Sequence, residues 1–234
     1  MKAILLAAGV GNRISRDISV PKSMLKVDGV TIIERTVKML VDNNIEVAIV
    51  VGYQKDSILS SLGHLPITYF YNPFYRITNS VASLWFAKDF LDESDDVILA
   101  NADVFWEQPV LTSLINDSRK IVMLSDKTKV SVGDYFFCVE DEKLISHGKD
   151  LPLEERSCEY VGVAKIRKDF IPQFKTNLDS LIDEEQYNFW WENILYENRA
   201  NFPVFVKDIS EHFWSEVDYI EDYKRILDYT ERRK

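Results

Sequence analysis

The segment ILLAAGVGNRI, residues 4–14, read together with PKSMLKVDG, residues 21–29, sets the architecture of the chain. It opens as an apolar run long enough for one buried strand and far short of the roughly 18 residues of a membrane span. Gly9 and Gly11 end the run. Lacking a Cβ, they let the backbone turn sharply and bring its N–H groups close to an anion. Arg13 closes the turn with a planar fork suited to two phosphate oxygens, and Lys22 follows Pro21 on a segment expected to be extended. An ordinary turn with two solvated cations and a cationic polyphosphate cradle are both open at this point. Two other nucleotide motifs are excluded. A dinucleotide fingerprint needs a third glycine where Ile14 stands and an acid where the next strand ends in VVGY, and a P-loop needs Gly-Lys followed by Ser or Thr.

Outward from the loop, short Ile/Val-rich runs alternate with helical patterns, which is the signature of a parallel sheet covered by helices. Strands are expected over 2–8, 46–51, 67–71, 97–102 and 120–124. In TIIERTVKML, Thr31 and Glu34 have capping-box spacing, and Ile33, Val37, Leu40 and Val41 share one helical face. Two more crossover helices are expected in QKDSILSSLG, ended by Gly63 in the left-handed role, and in NSVASLWFAKDFL. From Tyr135 the rhythm changes to strands with short turns, in YFFCVED, KLISHGK and EYVGVAKI. Helical patterns return in KDFIPQF and EEQYNFWWENILYEN, followed by a strand in VFVKDI and a helix in DYIEDYKRILDYTERR. The expected fold is α/β: a doubly wound, Rossmann-like, mostly parallel sheet with a small additional antiparallel segment and C-terminal helices. One domain over 1–234 is expected, with a nucleotide-binding part at 1–130 and an acceptor-binding part at 131–234.

A hydrophobic fraction of 46% can fill a sizeable core, while a net charge of -10 repels nucleic acid and anionic lipid. Any anion must therefore be held by a few local cations. Cys138 and Cys158 have no CxxC spacing, and His64, His147 and His212 are scattered, so neither a zinc site nor a catalytic dyad is suggested. The apolar run after Lys2 is too short for a secretory signal, and a soluble cytoplasmic protein that binds neither nucleic acid nor membrane is expected.

LLAAGVGNR with PKSMLKVDG and IIERTVKML resembles the signature of nucleotidyltransferases of the sugar-nucleotide pyrophosphorylase type. The resemblance implies a nucleoside triphosphate bound at the loop and pyrophosphate released. Asp103 ends the apolar strand VILANADVFW, and beside the first strand of a doubly wound sheet it would face the glycine loop. By resemblance it is a magnesium ligand, although the family usually has Gly-Asp where this chain has Ala102-Asp103. Asp218, in WSEVD before the last helix, matches the family's second magnesium ligand, and its position also suits a helix cap. Asp103 and Asp218 could each instead be a turn or cap residue. Leu6, Ala7, Ala8, Asn79 and Ser80 correspond to the family's nucleotide-contacting positions, with cytosine and uracil both open.

GKDL at 148–151, EYVGVAKI at 159–166 and the C-terminal motif look most like the branch containing phosphocholine and aminoethylphosphonate cytidylyltransferases. That likeness implies an acceptor phosphate at Lys149 and an acceptor pocket using Glu159, Trp190, Trp191 and Glu192, with Tyr187 or Phe189 as further walls. Aromatic faces with a carboxylate suit an ammonium head group, though core packing is the ordinary role of an aromatic cluster. The expected reaction is transfer of CMP from CTP to a phospho- or phosphono-monoester, with Arg13, Lys22, Asp103 and Asp218 as the catalytic set and Mg2+ as cofactor. A sugar-1-phosphate or inositol-phosphate nucleotidyltransferase is the nearer alternative. A non-catalytic nucleotide-binding regulatory module is the more distant one, and it would need neither carboxylate.

Overall fold

The computed structural model describes residues 1–11, 20–196 and 202–233. Its strands are β1 (Lys2–Ala7), β2 (Lys26–Val27), β3 (Val30–Thr31), β4 (Glu46–Val51), β5 (Ile67–Tyr71), β6 (Val97–Asn101), β7 (Val104–Phe105), β8 (Ile121–Asp126), β9 (Phe136–Glu140), β10 (Lys143–Gly148), β11 (Cys158–Ile166), β12 (Phe205–Asp208) and β13 (Ser215–Glu216). The helices are α1 (Ile32–Asp42), α2 (Lys55–Leu62), α3 (Ser80–Phe86), α4 (Gln108–Ile115), α5 (Ile171–Asp183), α6 (Asn193–Tyr196) and α7 (Ile220–Glu231).

A nine-stranded sheet runs in the order β5-β4-β1-β6-β11-β8-β12-β10-β9. Its first four strands are parallel. The chain steps outward from β1 to β4 and β5, then returns to β6 on the other side of β1. That reversal opens a crevice at the carboxyl ends of β1 and β6, where ligands of open α/β sheets bind. Alternate residues of β1 go to opposite faces: Ala3, Leu5 and Ala7 join a core layer with Ile33, Val37 and Leu40 of α1, while Ile4 joins the layer containing α3 and α5. Burial on both faces explains why these strands read as continuous apolar runs. The doubly wound α/β expectation holds, with antiparallel strands continuing the same sheet through β11.

Several local expectations change. The strand expected over 120–124 is shifted to β8, and α4 begins with Pro109 in its first turn in a stretch not read as helical. Gly63 closes α2 in right-handed conformation, with φ -62°, so no left-handed cap is formed. The segment expected to be helical from Glu184 turns instead, and only α6 is helical within 184–196. Residues 197–198 of that expectation lie outside the described residues. The N-cap of α7 is Tyr219 rather than Asp218, and Asp222 accepts hydrogen bonds from the N–H groups of both. Among the described residues, no helix is long and apolar enough to cross a membrane.

Candidate active site

One cavity of about 300 Å³ opens at the switch point. Its floor is Leu6, Ala7 and Ala8 with Gly9 and Gly11, and Asn101, Ala102 and Asp103 follow from β6. Gly11 has φ +66°, and a Cβ there would press on the Lys22 stem at 3.1–3.3 Å, so the glycine serves both the turn and the seating of the lysine. Pro21 starts a 3-10 turn over Lys22–Met24, closed by Met24 N–H donating to the Pro21 carbonyl at 2.8 Å, and this turn carries Lys22 into the cavity. Arg13 lies outside the described residues.

Asp218, 115 positions after Asp103 in the chain, arrives through a short ladder. Antiparallel β13 and β7 pair Glu216 with Val104, and Val217 N–H donates to the Asp103 carbonyl at 3.1 Å. The Lys22 ammonium is then bonded to Asp218 and lies 3.7 Å from Asp103 Oδ2. Burial pulls the Lys22 pKa down, but Asp103, Asp218 and Glu216 outweigh it and the net shift is upward. Burial and a hydrogen bond shared with Asp134 push Asp218 up, against the pull of Lys22. Glu216, which also lines the cavity, is pushed well up by burial and by the neighbouring Asp103 and Asp218.

Magnesium commonly takes one or two protein carboxylates and completes its shell with substrate phosphates and water. Asp103 and Asp218, converging on one cation, fit that donor set. Among the described residues no group of three or more His, Cys, Asp or Glu side chains forms a closed metal cage.

The opposite end of the cavity is aromatic and acidic. Trp190 meets Tyr135 edge-to-face at 5.6 Å between centroids, and Tyr135 stacks with Tyr196 at 6.1 Å. The Lys149 ammonium lies 5.3 Å from the Trp190 ring centre and 3.7 Å from Asp134. Glu192 is buried, and its carboxyl is raised to about 7 by that burial, held back in part by the Tyr160 hydroxyl and the Asn101 amide.

Asn79 and Ser80 line the cavity and also have structural partners. Asn79 accepts from Ser80 N–H at 2.8 Å, and Ser80 Oγ accepts from Trp191 N–H at 2.9 Å. Trp191 and Glu159 are not brought to the lining. Trp191 is fully buried, its indole N–H donating to Asn101 at 3.0 Å, because the turn geometry of this segment sends the two tryptophans apart. Glu159 is buried on β11 and accepts from Asp134 N–H at 3.0 Å. Tyr187 and Phe189 contribute main-chain carbonyls to Asn79 and Val81 rather than pocket walls. Asn101, Asp134, Tyr135, Tyr160, Tyr196 and Glu216 line the cavity without having been singled out in sequence. Glu216 lay in the quoted WSEVD, two residues from Asp218, and its strand alternation with Ser215 was the available signal.

A glycine loop at the switch point of a doubly wound sheet, with Lys22 between Asp103 and Asp218, fits a nucleotide-handling transferase. Residues 3–161 match the MobA-like NTP transferase domain, and the chain belongs to that family and is a nucleotidyltransferase. It is 28% identical to the CTP:phosphoglutamine cytidylyltransferase of Campylobacter jejuni, over 95% of this chain and 97% of that one. Identity to the choline-phosphate cytidylyltransferase of Haemophilus influenzae is 25%, over 97% of this chain and 96% of the relative. Among solved structures, the CTP:phosphocholine cytidylyltransferase of Streptococcus pneumoniae superposes with a TM-score of 0.81 at 21% identity, covering 98% of both chains, a likeness of fold.

Proposed function

We propose that the protein transfers CMP from CTP to a small phospho- or phosphono-monoester bearing a cationic nitrogen, with release of pyrophosphate. The observation that carries this reading is the continuity of one cavity from the Lys22–Asp103–Asp218 cluster to Trp190 and Glu192. CTP as donor draws support from the near full-length similarity to relatives named as cytidylyltransferases. The acceptor class draws support from aromatic faces beside a buried carboxyl, a combination that stabilises an ammonium group.

In this mechanism an anionic oxygen of the acceptor attacks the α-phosphorus in line, forming a P–O–P bond as the bond to pyrophosphate breaks. The nucleophile is already ionised near neutral pH, so positioning and charge stabilisation carry the rate rather than a general base. Lys22 stabilises charge on the phosphates, while the backbone of Ala7 to Gly11 shapes the triphosphate seat. Lys149 orients the acceptor phosphate, and Trp190 with Glu192 holds the nitrogen end. Mg2+ held by Asp103 and Asp218 would supply charge neutralisation at the α-phosphate.

The test is pyrophosphate release with Mg2+, each of the four nucleoside triphosphates, and a panel of phosphocholine, phosphoethanolamine, 2-aminoethylphosphonate and sugar-1-phosphates. CTP with an amino-type acceptor is the expected pair. Turnover confined to sugar-1-phosphates would replace this reading with the sugar-nucleotide one.

A further inference from the structure

Glu159 was expected to touch the acceptor, and its surroundings assign it different work. It is the register partner of both Asp126, the last residue of β8, and Phe136, the first residue of β9. The segment 127–135 therefore leaves the sheet on one side of Glu159 and returns on the other. Its start is tied by Asp126 Oδ1, which accepts from Thr128 N–H at 2.8 Å and from the Thr128 hydroxyl at 2.6 Å. Its middle is held by Arg156, which donates to the Val130 carbonyl at 3.4 Å, and by Lys129, whose ammonium lies 3.6 Å from the Trp214 ring centre and 3.8 Å from Glu159 Oε2. Its end, Asp134, donates its N–H to Glu159 Oε1 at 3.0 Å.

Gly133 is solvent-exposed, yet a Cβ on it would stand 2.5 Å from the Glu159 carboxyl. The turn rests directly on that carboxyl. Asp134 and Tyr135, which follow, line the cavity, and Asp134 pairs with Lys149 while Tyr135 abuts Trp190. Burial raises this carboxyl to about 7 against the pull of Lys129, and its hydrogen bond goes to this one turn.

We infer that Glu159 is a positioning residue for the acceptor end of the pocket: from beneath the 127–135 turn it fixes Asp134, and through Asp134 it fixes Lys149. The inference rests on the reading of the Lys149–Trp190 end as the acceptor site. Its signature is a split between substrates. Glu159→Ala is expected to raise acceptor KM about tenfold, the scale of one lost hydrogen bond, and CTP KM by clearly less, about threefold at most, because Asp134 also shares a hydrogen bond with Asp218. Glu159→Gln, whose amide oxygen can still accept from Asp134 N–H, is expected to recover most of the loss.

Gly133→Ala pushes on the same contact from the solvent side and serves if Glu159→Ala does not fold. It is expected to raise acceptor KM selectively in the same way. An unchanged acceptor KM in a folded Glu159→Ala or in Gly133→Ala overturns the inference, as does a parallel rise in both KM values. Wild-type protein assayed alongside separates the two failures, since loss of the acceptor reading appears as no turnover with any amino-type acceptor.

Discussion

Replacing Lys22 with methionine removes one charge and keeps the stem that packs across Gly11. Its ammonium faces Asp103 at 3.7 Å and bonds to Asp218, and all three side chains are at least three-quarters buried. At an effective dielectric constant of about 20, one such pair at that distance is worth about 4 kcal/mol, and breaking a buried pair from one side typically costs about 3–5 kcal/mol. Lys22→Met is therefore expected to lose about 3 kcal/mol of stability at pH 8, seen as a fall in Tm of about 6–12 °C for a chain of this size. The folded pKa of Lys22 is raised, so its stabilisation is fully present below the ordinary lysine value of 10.5 and is lost only as pH rises through the folded one. It also requires ionised partners, so the gap between variant and wild type should close as pH falls into the carboxylate range. Added Mg2+ should raise the Tm of the variant more than that of wild type, since it can neutralise the exposed carboxylate pair. Pyrophosphate release is expected to drop two to three orders of magnitude. A Tm within about 1 °C of wild type at pH 8, with release within about threefold, would show that Lys22 carries neither this stability nor this rate.

Three further outcomes are expected. Asp103→Asn should cut Mg2+-dependent pyrophosphate release at least about a hundredfold with unchanged circular dichroism, and near-normal turnover would remove Asp103 from the metal role. Glu192→Gln should be more stable than wild type at pH 8 by up to about 3 kcal/mol, because a carboxyl raised from 4.5 to about 7 on folding loses stability as pH rises across that window. Thermal melts at pH 5 and pH 8 check this, and a gap of equal size at both values would count against it. Trp190→Ala should raise KM for a quaternary or primary ammonium acceptor about 2- to 30-fold, and an unchanged KM would exclude its ring from the acceptor site.

The glycine-loop end of the cavity was legible because its determinants are local. Gly9, Gly11, Pro21 and Lys22 sit within one loop, and the strands around them are buried on both faces, so hydrophobic run and turn chemistry mark them directly. The pairing of Asp103 with Asp218 was reachable only by resemblance, since it depends on the β7–β13 ladder, two residues on each side. The aromatic end was less legible. A helical reading of the segment around Trp190 failed because Glu185, at φ +61°, and the turns after it break the helix, with Asn79 and Val81 binding the carbonyls that a helix would have used. Tyr135 precedes β9, Tyr160 lies on β11 and Tyr196 ends α6, and nothing in their spacing announces that they meet. Glu159 was read as a contact because it lies in a matching motif, while its role beneath the 127–135 turn emerges only from strand register.

If this cavity joins the α-phosphorus of CTP to an acceptor phosphate or phosphonate oxygen, a P–O–P product must form from the two. Phosphorus NMR of wild-type protein with CTP, Mg2+ and an amino-type acceptor tests it most directly. Pyrophosphate is expected together with a new pair of coupled resonances from a P–O–P linkage, both absent when acceptor is left out. CMP formed by hydrolysis at the same rate with and without acceptor, and no coupled pair, would contradict it.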